Sequence, residues 1–134
     1  MNLRDTLNFH LSWLSGLRTS IFNGASVDVE AAGNDTACVL GQWIYANREK
    51  LAGDETFDQL LKVHAEFHCC AMEAASLAQQ GQRDAALQRL DRQGSCHQKS
   101  DQVVFLASNL FNKLDGQVPA ESEKKAGFLS AFFQ

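Results

Sequence analysis

Apolar residues recur near the start of the chain at Leu3, Leu7, Leu14, Leu17 and Ile21, and His10 stands in the same series where a hydrophobic side chain is wanted. Steps of four and three place all six on one face of a helix, so the pattern predicts a first helix over Leu3–Phe22. Residues 23–35 hold Gly24 and Gly33 with Ser, Asp and Asn between them and little periodicity, and they read as a loop or frayed turn. A shorter second helix is expected over 36–51, with Asp35 or Thr36 as N-cap and Gly53 as stop. Cys38 falls in its opening turn, and Trp43 and Ile44 follow. The third helix is expected over 55–80, closed by Gly81. Its inward stripe is Phe57, Leu60/Leu61, His64, Phe67/His68, Ala71 and Ala74/Ala75, so histidines again occupy an apolar face. A fourth helix is expected from near Arg83 to near Leu114, with Leu87, Leu90, Val103, Leu106, Leu110 and Leu114 as its stripe. Its polar stretch, 91–101, predicts a bend around Gly94.

Short links between long helices favour antiparallel neighbours. The expected fold is all-α, an antiparallel four-helix bundle with a shorter second helix over residues 1–115, followed by a tail at 116–134. In that tail 120–125 are charged, and 126–133 carry three phenylalanines and Leu129. It reads as a loose end, a short extra helix docked on the bundle, or a peptide for a partner.

Composition agrees with helix: Leu and Ala total 33 of 134 residues against 9 for Val and Ile, with a single proline, Pro119. The length suits one domain. A net charge of −4 provides no basic stripe for phosphates, so nucleic acid is not an expected partner. The longest apolar run, 103–111, is too short for a membrane span. Asp5 and the lack of an apolar signal core speak against secretion, so the expected location is cytoplasmic. In that compartment Cys38, Cys69, Cys70 and Cys96 stay reduced and serve packing, metal ligation or redox chemistry.

His64 and His68 are four apart on a predicted helix, so both rings can reach one ion. Burying imidazoles without partners costs stability, yet His10, His64 and His68 are all expected to face the interior, where Cys38 can add a thiolate. Three imidazoles and one thiolate make a tetrahedral set suited to zinc. Four protein ligands leave no position for a reacting water, so the set points to a structural or sensing site rather than an enzyme. On spacing alone, the same residues read equally well as histidines bonded to backbone carbonyls beside a small apolar cysteine. No Glu-x-x-His of a di-iron bundle occurs.

Cys38-Val39-Leu40-Gly41-Gln42-Trp43 matches the Cys-x-Leu-Gly-x-Trp signature of the chemoreceptor zinc-binding domain family. His10-Leu11-Ser12-Trp13 resembles that family's first-helix segment. The run from Phe57 to His68, ending His64-x-x-x-His68, resembles its third-helix pattern. Order and spacing agree over roughly residues 5 to 115. The resemblance implies a helical bundle holding a zinc ion through His10, Cys38, His64 and His68. It also implies a bacterial regulatory module that responds to zinc or to oxidation of Cys38 by hypochlorous acid. Its expected partner is a signalling protein such as a chemoreceptor or a diguanylate cyclase output component, with a homodimer as the assembly. These 134 residues include no such output domain, so the module either acts on a separate partner or is part of something longer. The competing expectation is a zinc-stabilised scaffold for protein interaction without sensing. Cys69 and Cys70 read first as small buried side chains and second as thiols able to trap an oxidised Cys38. Cys96 and His97 read as incidental.

Overall fold

The stripe at the start of the chain becomes a helix with the expected bounds. In the computed structural model, which describes residues 3–115, α1 runs Leu3–Phe22 and buries Leu7, His10, Leu14 and Ile21. Among the described residues every element is an α-helix: α2 Val29–Gly33, α3 Val39–Ala46, α4 Arg48–Leu51, α5 Glu55–Gln79, α6 Arg83–Leu90 and α7 Ser95–Asp115. α5 begins at Asp54, whose Oδ1 accepts the Phe57 N–H at 3.0 Å. It ends before Gly81, whose φ of +83° is the left-handed turn that a glycine supplies without steric cost. Its buried face is Phe57, Leu60, His64, Phe67, His68, Ala71, Ala74 and Ala75, the stripe expected from spacing except that Leu61 stays half-buried.

Three expectations needed correction. Residues 23–35 are not all loop, because α2 forms there, with Asp28 accepting the Ala31 N–H at 3.1 Å and Ala32 buried. Five residues are too few to display a helical period. The second helix is divided at Asn47, whose amide donates to the Trp43 carbonyl at 2.8 Å and whose N–H is shared by the Trp43 and Ile44 carbonyls. Its N-cap is Cys38, not Asp35 or Thr36. Those two are engaged elsewhere: Asn34 Oδ1 accepts the Thr36 N–H and hydroxyl, and the Asp35 carboxylate accepts the Tyr45 hydroxyl at 2.6 Å. Finally, the bend expected around Gly94 is a full break, residues 91–94, closed by a Gly94 N–H bond to the Asp91 carbonyl at 2.7 Å. That break resets the phase of α7, which buries Cys96, Ser100, Val103, Ala107, Leu110 and Phe111 while Leu106 is only half-buried.

Cross-helix contacts give the directions. Lys113 pairs with Asp54 at 3.0 Å and Lys99 with Glu66 at 3.5 Å, so α5 and α7 run antiparallel. Arg18 pairs with Asp91 at 3.1 Å, and Arg83 donates to the Phe22 carbonyl at 3.3 Å, so α1 is antiparallel to α6. His10 and Trp13 of α1 meet Phe67 and His68 of α5 in the same order, so these two run parallel across the bundle. α5 packs on α7, α6 and α2, and α1 on α3, α6 and α7. The core of Leu7, Leu14, Ile21, Leu40, Ile44, Phe57, Leu60, Phe67, Val103 and Leu110 is almost wholly removed from water. Each such side chain contributes about 1.5–3 kcal/mol. No helix among the described residues is long and apolar enough to cross a membrane. The expectations for the tail at 116–134 lie outside the described residues.

Candidate metal centre

α5 supplies two imidazoles from consecutive turns, His64 and His68, with ring centroids 4.6 Å apart. The cap of α3 brings the Cys38 sulfur against them, with Sγ 3.2 Å from His64 Nε2. One ligand atom from each of Cys38, His64 and His68 lies within 4.8 Å of the others. All three side chains are buried, at 4%, 1% and 0% exposure. The Cys38 sulfur also accepts the Gly41 N–H at 3.3 Å, and its own S–H reaches toward the Asp35 carbonyl at 3.8 Å. Gly41 is required by this approach: a Cβ there would run into the Asp35 carbonyl oxygen and stand 3.0 Å from His64 Cε1.

The proton positions on His68 follow from its partner. Nδ1 lies 3.0 Å from the Ala32 carbonyl, which can only accept, so Nδ1 carries the proton. Nε2 is then a bare lone pair, buried with no hydrogen-bond partner. His10 is also buried, at 0% exposure, with its Nε2 hydrogen-bonded to Ser100 Oγ at 3.0 Å and its Nδ1 without a partner. The Ser100 hydroxyl can donate or accept, so that bond does not fix which nitrogen carries the proton. The His10 ring centroid is 5.8 Å from that of His64 and 4.6 Å from that of Phe67. His10 therefore borders the three-residue cluster without belonging to the tight group.

Burial and then the charge of His68 push His10 down to about 4. Burial, then His68 and His10, push His64 down to about 3. His68 is lowered by burial, against the opposing bond to Ala32 and the nearby charge of Asp35. All three are thus neutral near pH 7, the form in which imidazole binds a metal. Burial raises the Cys38 thiol above its ordinary range, although the Gly41 and Leu40 N–H groups at the start of α3 pull the other way. A cation reverses that balance, since a coordinating thiol is deprotonated. Two orphaned imidazole nitrogens, a third imidazole and a thiol in a dry pocket fit zinc by donor chemistry. Buried polar atoms otherwise find partners.

The remaining candidates lie apart. His97 pairs with Asp101 at 3.5 Å on α7, away from the cluster. Cys69 is exposed, contrary to the expectation of a small buried side chain, and Cys70 is partly exposed. Cys96 is buried beside Cys70, and burial together with that neighbour pushes it up to about 12. Sequence reasoning missed Ser100 and the Ala32 carbonyl. The Ala32 carbonyl had no signal, because every residue has a carbonyl. Ser100 had none either, since it lies in the polar stretch 91–101, outside the expected stripe.

Residues 10–75 match the family model described as the chemoreceptor zinc-binding domain. The matched segment begins at His10 and takes in Cys38, His64 and His68, but it is narrower than the stretch of resemblance and leaves out α6 and α7. No curated protein and no solved structure matches the chain.

Proposed function

Through residues 10–75 the chain belongs to the chemoreceptor zinc-binding domain family, and from that premise we propose that it is a non-catalytic regulatory module. In this reading it holds one zinc ion through Cys38, His64, His68 and His10 and passes its state to a signalling partner. The observation that carries the four-ligand reading is that two of the three buried imidazole nitrogens without hydrogen-bond partners, His68 Nε2 and His10 Nδ1, lie at this cluster, the third being His97 Nδ1 near Asp101. Each of the two at the cluster belongs to a ring whose other nitrogen is already held, by the Ala32 carbonyl and by Ser100. Oriented, neutral histidines of this kind are how proteins present a lone pair to a metal.

Bound zinc would keep the Cys38 sulfur as thiolate, the reactive form. The sensing step is then local. Two electrons pass from the Cys38 thiolate to hypochlorous acid, leaving a sulfenic acid on the protein and releasing chloride. Sγ loses its place both as ligand and as the acceptor of the Gly41 N–H, so the first turn of α3 loosens. Gln42, Tyr45 and Ala46 on the outer face of that helix are exposed, and a change there is open to a partner. Withdrawal of zinc acts through the same residues. We assign the partner to the chemoreceptor or diguanylate cyclase class, with a homodimer as the working assembly and the cytoplasm as its location.

The second reading, a zinc-stabilised scaffold without sensing, is favoured by the 4% exposure of Cys38, which shields the sulfur. Elemental analysis of protein purified without metal-affinity resin tests the site. Wild type should carry about one zinc per chain, and Cys38→Ala should lose it or hold it loosely. Well-folded wild type without zinc, or Cys38→Ala holding it as tightly, overturns the assignment. Limiting hypochlorous acid followed by peptide mapping separates the two readings. Sensing requires Cys38 to be modified before Cys69, and the reverse order leaves the scaffold.

A further inference from the structure

A pair of thiols apart from Cys38 lies in the seam between α5 and α7. The Lys99–Glu66 pair sets the register of these antiparallel helices at 3.5 Å. Cys70 is four residues beyond Glu66, and Cys96 is three residues before Lys99, so the next turn of each helix brings the two cysteines face to face. Cys96 belongs to the buried core at 0% exposure, and Cys70 packs against that core with part of its surface in water. Cys70 is near enough to add to the burial that raises the Cys96 thiol.

We propose that Cys70 and Cys96 form a reversible disulfide when the protein meets a hydroperoxide, a redox site separate from the metal centre that staples α5 to the start of α7. Burial and then Glu73 raise the Cys70 thiol, and burial pushes Cys96 up to about 12. Both therefore rest as thiols and the reaction is slow, so access rather than acidity selects the order of events. The partly exposed Cys70 sulfur attacks one peroxide oxygen of hydrogen peroxide, breaking the O–O bond, giving a sulfenic acid and releasing water. The Cys96 sulfur then attacks the Cys70 sulfur, and its proton leaves with the hydroxyl as a second water. Two thiols lose two electrons and two protons, and one peroxide becomes two waters. The cross-link closes a loop that contains the end of α5, all of α6 and the break at 91–94. It also holds the register in which Ser100, one turn after Cys96, meets His10.

The test uses the full chain, zinc-loaded, treated with hydrogen peroxide, alkylated and digested without reductant. The expected product is a peptide pair linked Cys70–Cys96 within one chain, the denatured chain being lighter by two hydrogens and restored by dithiothreitol. Cys69→Ser should keep this link. Cys96→Ala should abolish it and leave a Cys70 sulfenic acid that dimedone traps. Because neither thiol belongs to the metal cluster, the same link should form in Cys38→Ala and in chelator-treated protein, so failure of the zinc assignment would leave this result standing. Linkage of Cys70 to Cys38, a disulfide between chains, or a Cys70 sulfenic acid that persists in wild type beside a reduced Cys96 overturns the proposal. So does a Cys70 that stays reduced while Cys69 is consumed.

Discussion

At Cys38 one sulfur answers two needs. It closes the N-terminus of α3 by accepting the Gly41 N–H, and it stands 3.2 Å from His64 in the metal cluster. Cap and candidate ligand are therefore one atom, and whatever moves the first turn of α3 moves that atom. Gly41 is where this coupling is most exposed to test. Gly41→Ala places a methyl group against the Asp35 carbonyl and the His64 ring, so α3 must shift outward. The expected outcome is a loss of zinc affinity on the order of tenfold or more, the scale seen when a ligand's support is removed. Competition with a colorimetric chelator measures it, and unchanged affinity would mean that the turn relaxes without disturbing Cys38. The Cys-x-Leu-Gly spacing is visible in the chain. That the glycine faces Asp35 and His64 depends on how 34–37 fold, and no local pattern encodes that.

Among the helices, the long ones were legible and the short ones were not. α1 and α5 repeat their apolar stripe over five turns or more, which a period of 3.6 makes plain. α2 and α4 are stretches of five and four residues; α2 is capped by Asp28 and packs on α5, while α4 has no side-chain cap and buries no residue. The apolar positions of α6 and α7 are out of phase for one continuous helix, and the four-residue break lets both face the core. Within α7, Val103 and Leu110 of the expected stripe are buried, and Leu106 and Leu114 are half-buried. The start of α5 offers a test that separates helix stability from the metal centre. Asp54 accepts the Phe57 N–H and pairs with Lys113, and these two contacts, in that order, lower its carboxyl below the ordinary range. The candidate ligands on the same helix, His64 and His68, lie more than two turns further along α5. Asp54→Ala should lower the melting temperature of the zinc-loaded protein by a few degrees, while zinc content stays at the wild-type level. A parallel fall in zinc content would show that fraying at Asp54 reaches the site.

At the scale of the whole molecule, the buried histidines tie folding to pH in the metal-free protein. His10 is lowered from 6.5 to about 4 and His64 from 6.5 to about 3, with burial the first cause in each. Between those values and 6.5 the unfolded chain binds protons that the folded chain refuses. Stability is therefore fully present above about pH 6.5 and falls as the pH drops through the window toward 4 and then 3. Each unit of depression corresponds to about 1.4 kcal/mol per group, a large share of the 5–15 kcal/mol typical of a domain. Urea denaturation of chelator-treated protein should show a flat midpoint from about pH 8 to 7 and a steep decline by about pH 5. A midpoint unchanged at pH 5 would mean that these rings are hydrated or already charged in the folded state.

What the sequence determined by itself was whatever is periodic or local: the helical class, the faces of α1 and α5, the presence of His10, His64 and His68 on buried stripes, and the Cys38 motif. Periodicity carries this because it fixes which side of a helix leaves water. Tertiary structure decided the rest. It placed the cap of α3 against the third and fourth turns of α5, gave His68 its proton through a backbone carbonyl from α2, and gave His10 its bond to Ser100 on α7. It also set Cys70 against Cys96 instead of against Cys38. Each of these is a meeting between elements far apart in the chain, and their geometry follows from the crossing of packed helices, which no single stretch of sequence contains.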